Sequence, residues 1–113
     1  MKHRAPHPLE HHPSFRAVIE AAPPLAELAQ HACGELVGTL AMACGDLAEG
    51  FASPPESRKR IEAHRRAWIA VREIDRSVTA VRRRRIAPLA VVQRAQRAID
   101  RADVLIGALL PSS

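Results

Sequence analysis

Apolar residues recur at steps of three and four along four segments of this chain, and polar or charged residues fill the positions between them. This spacing matches the turn of an α-helix, so each segment is predicted to be an amphipathic helix. No segment alternates apolar and polar residues with a period of two, so no β-strand is predicted. We therefore expect helices at about residues 14–22, 24–49, 54–85 and 88–110.

Proline, glycine and capping residues set the expected helix ends. Ser14 is a suitable N-cap for the first helix, and Pro23-Pro24 is expected to end it, because proline lacks the N–H that an interior position donates. Gly50 is typical of the residue that follows a helix C-terminus. Ser53-Pro54-Pro55-Glu56 is typical of a helix start, and so is Ala87-Pro88.

The connections between these helices are short, which favours antiparallel neighbours. The expected fold is all-α: an up-and-down antiparallel four-helix bundle with a short first helix, formed by residues 14–110. A length of 113 residues leaves room for one domain. Residues 1–13 contain three prolines and four histidines and are expected to form a flexible tail.

The composition predicts a thin core. Hydrophobic residues make up 47% of the chain, but only 3% is aromatic: Phe15, Phe51 and Trp68. Alanine removes little apolar surface from water, so burial stabilises a lone chain weakly. We therefore expect a homo-oligomer, in which association adds to the stability of the folded chain.

Charge is distributed unevenly. Residues 1–57 contain three Lys or Arg against seven Asp or Glu, a net charge of −4, whereas residues 58–113 contain fourteen against five, a net charge of +9. Fifteen of the seventeen basic residues are arginines, whose planar guanidinium groups suit phosphate and carboxylate partners. Frequent arginine codons in a GC-rich genome are an alternative cause of the arginine bias, but they do not explain the asymmetry.

Arginines are also spaced to share helix faces. Steps of seven and four residues place five of them on one face of the third helix, and three more form a basic face on the last helix: Arg58, Arg65, Arg72, Arg76 and Arg83, then Arg94, Arg97 and Arg101. RNA or another polyanion is a candidate ligand, because phosphates bind a positive surface through counterion release. Antiparallel packing would allow the two faces to merge. The alternative is a solvated surface, partly neutralised by carboxylates three or four residues away: Glu62, Glu73, Asp100 and Asp103.

Four consecutive arginines, Arg82, Arg83, Arg84 and Arg85, end the third predicted helix. Their mutual repulsion requires a phosphate, an acidic surface or solvent. The alternative is a structural role, because cations complement the negative end of the helix dipole. Exposed aromatic residues for base stacking are absent from the pattern, so sequence-specific recognition of single strands is not expected.

Two carboxylates stand where a helix disfavours them. Asp46 and Glu49 lie near the C-terminus of the second predicted helix, where the helix dipole opposes an anion. Each is therefore expected to have a tertiary partner, such as the N-terminal amides of the next helix or an arginine across an interface.

The segment that contains these carboxylates resembles a known family. Asp46-Leu47-Ala48-Glu49-Gly50 is similar to the Asn-Ile-Ala-Glu-Gly pattern that ends the second helix of the four-helix-bundle proteins encoded in 23S ribosomal RNA intervening sequences. Ala67, Ala70 and Glu73-Ile74-Asp75 match the small residues and the Glu-Leu-Glu pattern of that family's next helix. Pro24 lies where the family often has a break. The resemblance covers roughly residues 24–110.

The resemblance implies a four-helix bundle without catalysis, and a pentameric ring in related members. It implies a structural role for the motif residues Asp46, Glu49, Gly50 and Glu73. The accessory variability determinant proteins of diversity-generating retroelements are a more distant comparison, which implies binding of nucleic acid and of a reverse transcriptase through a basic surface. Ile69 departs from the family pattern, which usually has Gly there.

No pattern in the sequence indicates a catalytic residue, a metal site or a cofactor. His3, His7, His11 and His12 lie in a proline-broken tail, which supplies no fixed geometry for a metal. No Glu has a His three residues later, as a di-iron bundle requires, and no Ser, His and Asp spacing indicates a triad. His31 and His64 are isolated and are expected to be exposed or hydrogen-bonded where they stand.

The expected location is the cytoplasm. Cys33 and Cys44 are eleven residues apart in one predicted helix, about 16 Å along its axis, so they are not expected to form a disulfide. Unpaired thiols fit a reducing compartment. No signal-peptide pattern is visible, and no apolar run approaches the ~20 residues that span a bilayer, so no membrane association is expected.

Two functions stay open at this point. The first is a non-enzymatic homo-oligomeric scaffold or adaptor that binds RNA or another polyanion through the arginine faces. The second is a protein–protein interaction module that binds a partner in an apolar helix groove, with the charge serving only solvation.

Overall fold

The structure is a computed structural model, and it describes residues 9–32 and 35–111. A short 3-10 helix, Leu9–His11, precedes four α-helices: α1 (Pro13–Ala29), α2 (Leu36–Ala52), α3 (Arg58–Arg84) and α4 (Leu89–Gly107). The described ranges contain no β-strand. The all-α fold class is therefore confirmed.

Each helix packs against two neighbours: α1 contacts α2 and α4, and α3 contacts the same two helices. Hydrogen bonds between the helices show that neighbouring helices run in opposite directions. Arg60, near the start of α3, bonds to Gly50, near the end of α2. Gln96, in the first half of α4, bonds to Asp75, in the second half of α3. These pairs, with the bond between the end of α1 and the start of α4, confirm an up-and-down antiparallel four-helix bundle. At 17 residues α1 is shorter than α3 and α4, which have 27 and 19.

The core lies between the four helices and is aliphatic. Its largest fully buried side chains include at least one Leu or Ile from each helix: Leu25, Leu28, Leu47, Ile74, Ile99 and Ile106. Alanines are also fully buried on α2, α3 and α4, among them Ala43, Ala67 and Ala95. Such small side chains allow neighbouring helices to approach closely.

The helix break predicted at Pro23-Pro24 is wrong, because both prolines lie inside α1. A proline in a helix interior costs about 3 kcal/mol or more, since it removes one hydrogen bond and crowds the preceding turn. The buried stripe of α1 nevertheless continues from Val18 and Ala21 to Leu25 and Leu28. Burial of these side chains in the core offsets the local cost of the prolines.

The break lies between Ala29 and Leu36 instead, so the single helix predicted at 24–49 is also wrong. The backbone N–H groups of Gln30 and His31 close the end of α1 by donating to carbonyl oxygens three residues earlier. Cys33 lies outside the described residues. Cys44 is a free thiol on α2, and burial raises its pKa.

The start of the third helix is displaced from the predicted residue 54. Ser53 belongs to the end of α2, where its hydroxyl donates to the carbonyl oxygen of Glu49 at 2.9 Å. The actual N-cap is Ser57, whose Oγ accepts a hydrogen bond from the Arg60 N–H at 3.1 Å. Ser53 and Ser57 both suit an N-cap by residue type. The turn that contains Glu56, whose φ is 62°, lies immediately before Ser57, so the helix starts at the second serine.

The sequence predicts that Gly50 follows the C-terminus of the second helix, but Gly50 lies buried in the last turn of α2. A Cβ at this position would overlap the imidazole ring of His64 on α3. The glycine therefore permits a close approach of two helices, and the terminator role assigned to it from sequence is wrong.

The remaining ends differ less from expectation. Arg85, with φ at 55° in the left-handed region, ends α3, and Pro88 precedes α4, which ends three residues before the predicted residue 110. Ser14, the predicted N-cap, lies inside α1, and the N-cap position is taken by His12. Of the predicted flexible tail, residues 1–8 lie outside the described residues, whereas residues 9–13 form the 3-10 helix and the start of α1.

Candidate polyanion-binding surface

Five arginines follow the outer face of α3, which we call the α3 stripe: Arg58, Arg65, Arg72, Arg76 and Arg83. All five are exposed, on the side of the helix away from its buried residues, such as Ala67, Ile74 and Val78. The shared face that the seven- and four-residue spacing predicts is therefore present.

The stripe has no direct neutralising partner in the described part of the chain. The four ion pairs found there involve three other arginines: Arg16, Arg66 and Arg94. Partial neutralisation of the stripe by nearby carboxylates such as Glu62 and Glu73, the alternative interpretation of the sequence, is not observed as ion pairing. The charge of the stripe is open to solvent.

One stripe residue is positioned by an aromatic ring. The guanidinium carbon of Arg72 lies 4.7 Å from the centroid of the Trp68 ring, a cation–π contact. Trp68 is half-buried beside Gly107 of α4, and its indole N–H has no hydrogen-bond partner among the described residues. The ring therefore orients an arginine and is not a free platform for a base.

The arginines of α4 are exposed as well, but they are separated from the α3 stripe. Arg94 is paired with Glu27 of α1, with Nη2 2.8 Å from Oε1. On the side of α4 that faces α3, the side-chain amide of Gln96 donates to Asp75 and to Asp100 at 2.6 and 2.9 Å. Two carboxylates and an amide thus lie between the stripe and the two remaining arginines of this face, Arg97 and Arg101.

The four consecutive arginines lie at the turn between α3 and α4, which we call the tip. Arg82, Arg83 and Arg84 form the last turn of α3, and Arg85 caps it. All four are exposed, and none forms an ion pair with a described residue. Residues 76–99 contain seven arginines and no Asp or Glu, so the tip has no acidic neighbour in sequence.

Asp46 and Glu49 have the tertiary partner that their position predicts. Arg66 of α3 reaches both, with Nε 3.3 Å from Asp46 Oδ1 and Nη2 3.1 Å from Glu49 Oε1. The hydrogen bond to Asp46, with the attraction of both carboxylates, raises the pKa of the Arg66 guanidinium. The prediction of a partner is confirmed, and the partner lies on the next helix of the same chain.

Glu73, the remaining motif residue, is exposed on α3. It lines a cavity of about 250 Å³ between α2 and α3, with Glu35 and Thr39 on the opposite wall. No described side chain forms an ion pair with it, so its contacts do not explain the motif position.

A second cluster, around His64, was missed from the sequence. His64 is 2% exposed, and its Nε2 has no hydrogen-bond partner among the described residues. The Phe51 ring meets the His64 ring edge-on with 4.7 Å between ring centroids, and the His12 ring stacks on Phe51 at 3.9 Å. Burial, with the charges of Arg60 and His12, lowers the pKa of His64. The expectation that His64 is exposed or hydrogen-bonded is therefore wrong, whereas His31 is exposed.

Arg60 joins this cluster to the end of α2. Its Nε donates to the carbonyl oxygen of Gly50 at 2.9 Å, and its Nη2 donates to that of Phe51 at 3.0 Å. Arg60 thereby satisfies the Phe51 carbonyl at the helix end and adds a second bond to the Gly50 carbonyl, which also accepts from the Ser53 N–H. A signal for the burial of His64 exists in the sequence, since it is next to Ala63 and three residues before Ala67 on the apolar face.

Within residues 9–32 and 35–111 no group of three or more His, Cys, Asp or Glu side chains is placed to hold a metal ion. His3 and His7 lie outside those residues. Among the helices of the described chain, none combines the length and the apolar character that crossing a membrane requires.

Comparisons of this chain with protein-family models, with curated proteins and with solved structures found no match. The resemblance to the intervening-sequence proteins therefore stays a prediction, which rests on residues 46–50 and 67–75.

Proposed function

We propose that this chain is a non-enzymatic helical bundle that binds RNA or another polyanion through the α3 stripe and the tip, and that it acts as a scaffold or adaptor. The observation that carries the proposal is that these arginines are exposed and have no carboxylate partner in the described chain. An unpaired guanidinium at a surface binds phosphate without first losing another ionic contact.

The geometry of the stripe suits an extended ligand. Arg58 and Arg83 are separated by 25 residues of one helix, or about 38 Å along its axis. Several phosphates would contact the stripe at once and release their counterions together. With five contacts to a single strand, the slope of log affinity against log salt is expected to be about −3.5.

The stripe also supports binding that is independent of sequence. The three aromatic residues are half-buried, and Trp68 and Phe51 are in contact with arginines of their own chain. Stacking of bases on free rings, which would add affinity for single strands, has no site on this surface.

Self-association is the second part of the proposal, and it is supported by the outer face of α2. Most exposed residues of this face carry no charge: Val37, Gly38, Ala41, Met42, Gly45 and Ala52; the exception, Glu49, is paired with Arg66. Met42 is 65% exposed, and Ile69, on the outer face of the neighbouring α3, is 56% exposed. Apolar surface of this kind is typical of an interaction site.

The resemblance makes a pentamer the proposed assembly and a reverse transcriptase a proposed protein partner. A cytoplasmic location belongs to the same proposal, because the Cys44 thiol is free. The largely uncharged face of α2 equally supports the second candidate, a protein–protein interaction module without a nucleic-acid role.

A salt titration tests the polyanion part. Binding of a labelled single-stranded RNA, followed by fluorescence anisotropy, should weaken steeply between about 50 and 200 mM salt. Replacing Arg82, Arg83, Arg84 and Arg85 by Glu should reduce the affinity further. The absence of binding at low salt, or unchanged binding by this variant, would contradict the proposal.

Light scattering tests self-association. We expect a mass that is a multiple of the 12.4 kDa chain, and Ala41→Gln should lower it, because a long side chain would separate two closely packed helices. RNA binding with a purely monomeric protein would retain the polyanion function and refute the assembly.

A further inference from the structure

A cleft opens at the tip, between the end of α3 and the start of α4. Its volume is about 800 Å³, compared with about 300 Å³ for the cavity on the other side of α3. This is within the usual range for small-ligand sites, about 300–1,000 Å³. Three arginines of the tip line the cleft, together with one hydroxyl and aliphatic side chains: Arg82, Arg83, Arg85, Thr79, Leu89 and Val92.

The cleft is strongly cationic. No carboxylate lines it, and its three arginines have no ion pair with a described residue. The negative end of α3 and the positive end of α4 both lie at the turn, so the two helix dipoles oppose each other there. The guanidinium charges therefore decide which ligand the cleft accepts, and that ligand is an anion.

Arg85 has an unusual backbone conformation for its residue type. Its φ of 55° is in the left-handed region, where a helix usually ends with Gly or Asn because other side chains are disfavoured. The same residue contributes its side chain to the cleft. Disfavoured conformations of this kind cluster at binding sites, and here the conformation accompanies a third guanidinium group in one cleft.

We propose that this cleft binds a terminal phosphate monoester of RNA, an inference that rests on the polyanion-binding function proposed above. A monoester carries a charge of about −1.5 to −2 near pH 7 and three acceptor oxygens, which three guanidinium groups match better than they match a singly charged phosphodiester. Leu89, which is exposed, supplies an aliphatic surface for the attached nucleoside. Arg83 belongs to both the cleft and the α3 stripe, so the rest of the strand continues along the stripe.

Competition binding tests this inference. Three RNAs of one sequence, about 12 nucleotides long, would carry a 5′-phosphate, a 3′-phosphate or hydroxyls at both ends, and each would displace a labelled RNA. One phosphorylated form should compete about tenfold better than the hydroxyl form, the value of one added charge-assisted hydrogen bond. The form that gains identifies which end the cleft takes.

Arg84 provides the matched control. It belongs to the same tip but lines the cavity on the other side of α3, with Leu36 and Ile86. Arg82→Gln or Arg85→Gln should abolish the preference for the phosphorylated end, whereas Arg84→Gln, with the same change in net charge, should retain it. Equal loss of the preference in all three variants would overturn the cleft as the site.

Arg85→Gly separates binding from backbone conformation. The substitution removes the guanidinium and suits the left-handed position, so it should raise the Tm and abolish the preference for the phosphorylated end. A raised Tm with the preference unchanged would show that the Arg85 guanidinium does not contribute to binding and would overturn its assignment.

The remaining outcomes distinguish this inference from the proposed function. Equal competition by all three RNAs would refute the terminal-phosphate site and leave the polyanion function standing. No binding of any RNA would refute both. Tighter binding to vesicles that contain phosphatidate than to phosphorylated RNA would assign the cleft to a lipid headgroup and overturn the RNA assignment.

Discussion

α2 and α3 are neighbours in one bundle, but they present opposite surfaces to solvent. Their buried faces are alike, with Leu47 and Ala43 on α2 packing in the same core as Ile74 and Ala67 on α3. Their outer faces differ: that of α2 carries mostly small or uncharged residues, with Glu49 as the exception, whereas that of α3 carries a row of arginines. Because similar buried faces suffice for the fold, the difference between the outer faces points to what each helix meets outside the chain.

The arginines also divide into two groups, which differ in whether a carboxylate of the same chain pairs with them. Those that face a neighbouring helix are paired, as Arg66 is with Asp46 and Glu49 and as Arg94 is with Glu27. Those of the α3 stripe have no such partner among the described residues. Pairing, which sequence counts of charge do not reveal, separates arginines that contact a carboxylate of the same chain from arginines available to a ligand.

The largest expected change is in the free energy of unfolding, and it should distinguish two isoleucines of α3. Ile74 is 1% exposed and Ile69 is 56% exposed. Ile74→Ala should lower the free energy of unfolding by about 2–5 kcal/mol, because it leaves a cavity in the core. Ile69→Ala should change it by less than about 0.5 kcal/mol. Urea denaturation of both variants measures the difference, and similar losses would contradict the assignment of inner and outer faces.

Two glycines provide the next contrast, within α2. Gly50→Ala should destabilise the protein by about 1–3 kcal/mol, because the added Cβ overlaps the buried His64 ring. Gly45 has nothing within 4 Å of such a Cβ, so Gly45→Ala should stabilise the helix by about 0.5–1 kcal/mol. Thermal denaturation should give Tm shifts of opposite sign, and shifts of the same sign would contradict the close approach at Gly50.

The buried His64 predicts a loss of stability in acid. Its pKa is lowered in the folded chain, so below about 6.5 the unfolded state takes up the proton first. Stability is therefore full above that pH and falls as the pH drops toward the lowered value. The Tm should decrease from pH ~7.5 to ~5.5. His64→Gln should reduce that decrease, whereas His31→Gln, at an exposed position, should not.

The smallest effect concerns the ion cluster that joins α2 to α3. Arg66 and Glu49 are largely exposed, and exposed ion pairs contribute little to stability. Arg66→Gln should lower the Tm only slightly, and high salt should reduce the difference between variant and wild type. A large loss of stability would show that this cluster, and not the aliphatic core, holds the two helices together.

The fold class could be predicted from the sequence because helical periodicity extends over long segments. Local signals failed at the boundaries. The prolines at 23 and 24 indicate a break, but a continuous buried stripe overrides them, and Ser53 indicates a helix start four residues before Ser57 provides it. Tertiary packing decides both cases, and a single residue's preference does not contain that information.

The candidate surface could be predicted in part. Spacing alone places the stripe arginines on one face, and the unfavourable position of Asp46 and Glu49 indicates that they need a partner. The sequence did not reveal which arginine that partner is, since Arg65 and Arg66 differ only by their angle around α3. The cleft at the tip depends on the conformation of Arg85 and on where α4 begins, so no local pattern predicts it.

We propose that unpaired arginines, and not net charge, make α3 a polyanion-binding surface. Two triple variants with equal changes in net charge test it: Arg65→Gln, Arg72→Gln and Arg76→Gln against Arg16→Gln, Arg66→Gln and Arg94→Gln. The salt dependence of RNA binding should weaken by about 2 in slope for the stripe variant and stay near the wild-type value for the paired one. Equal slopes for the two variants would contradict the account.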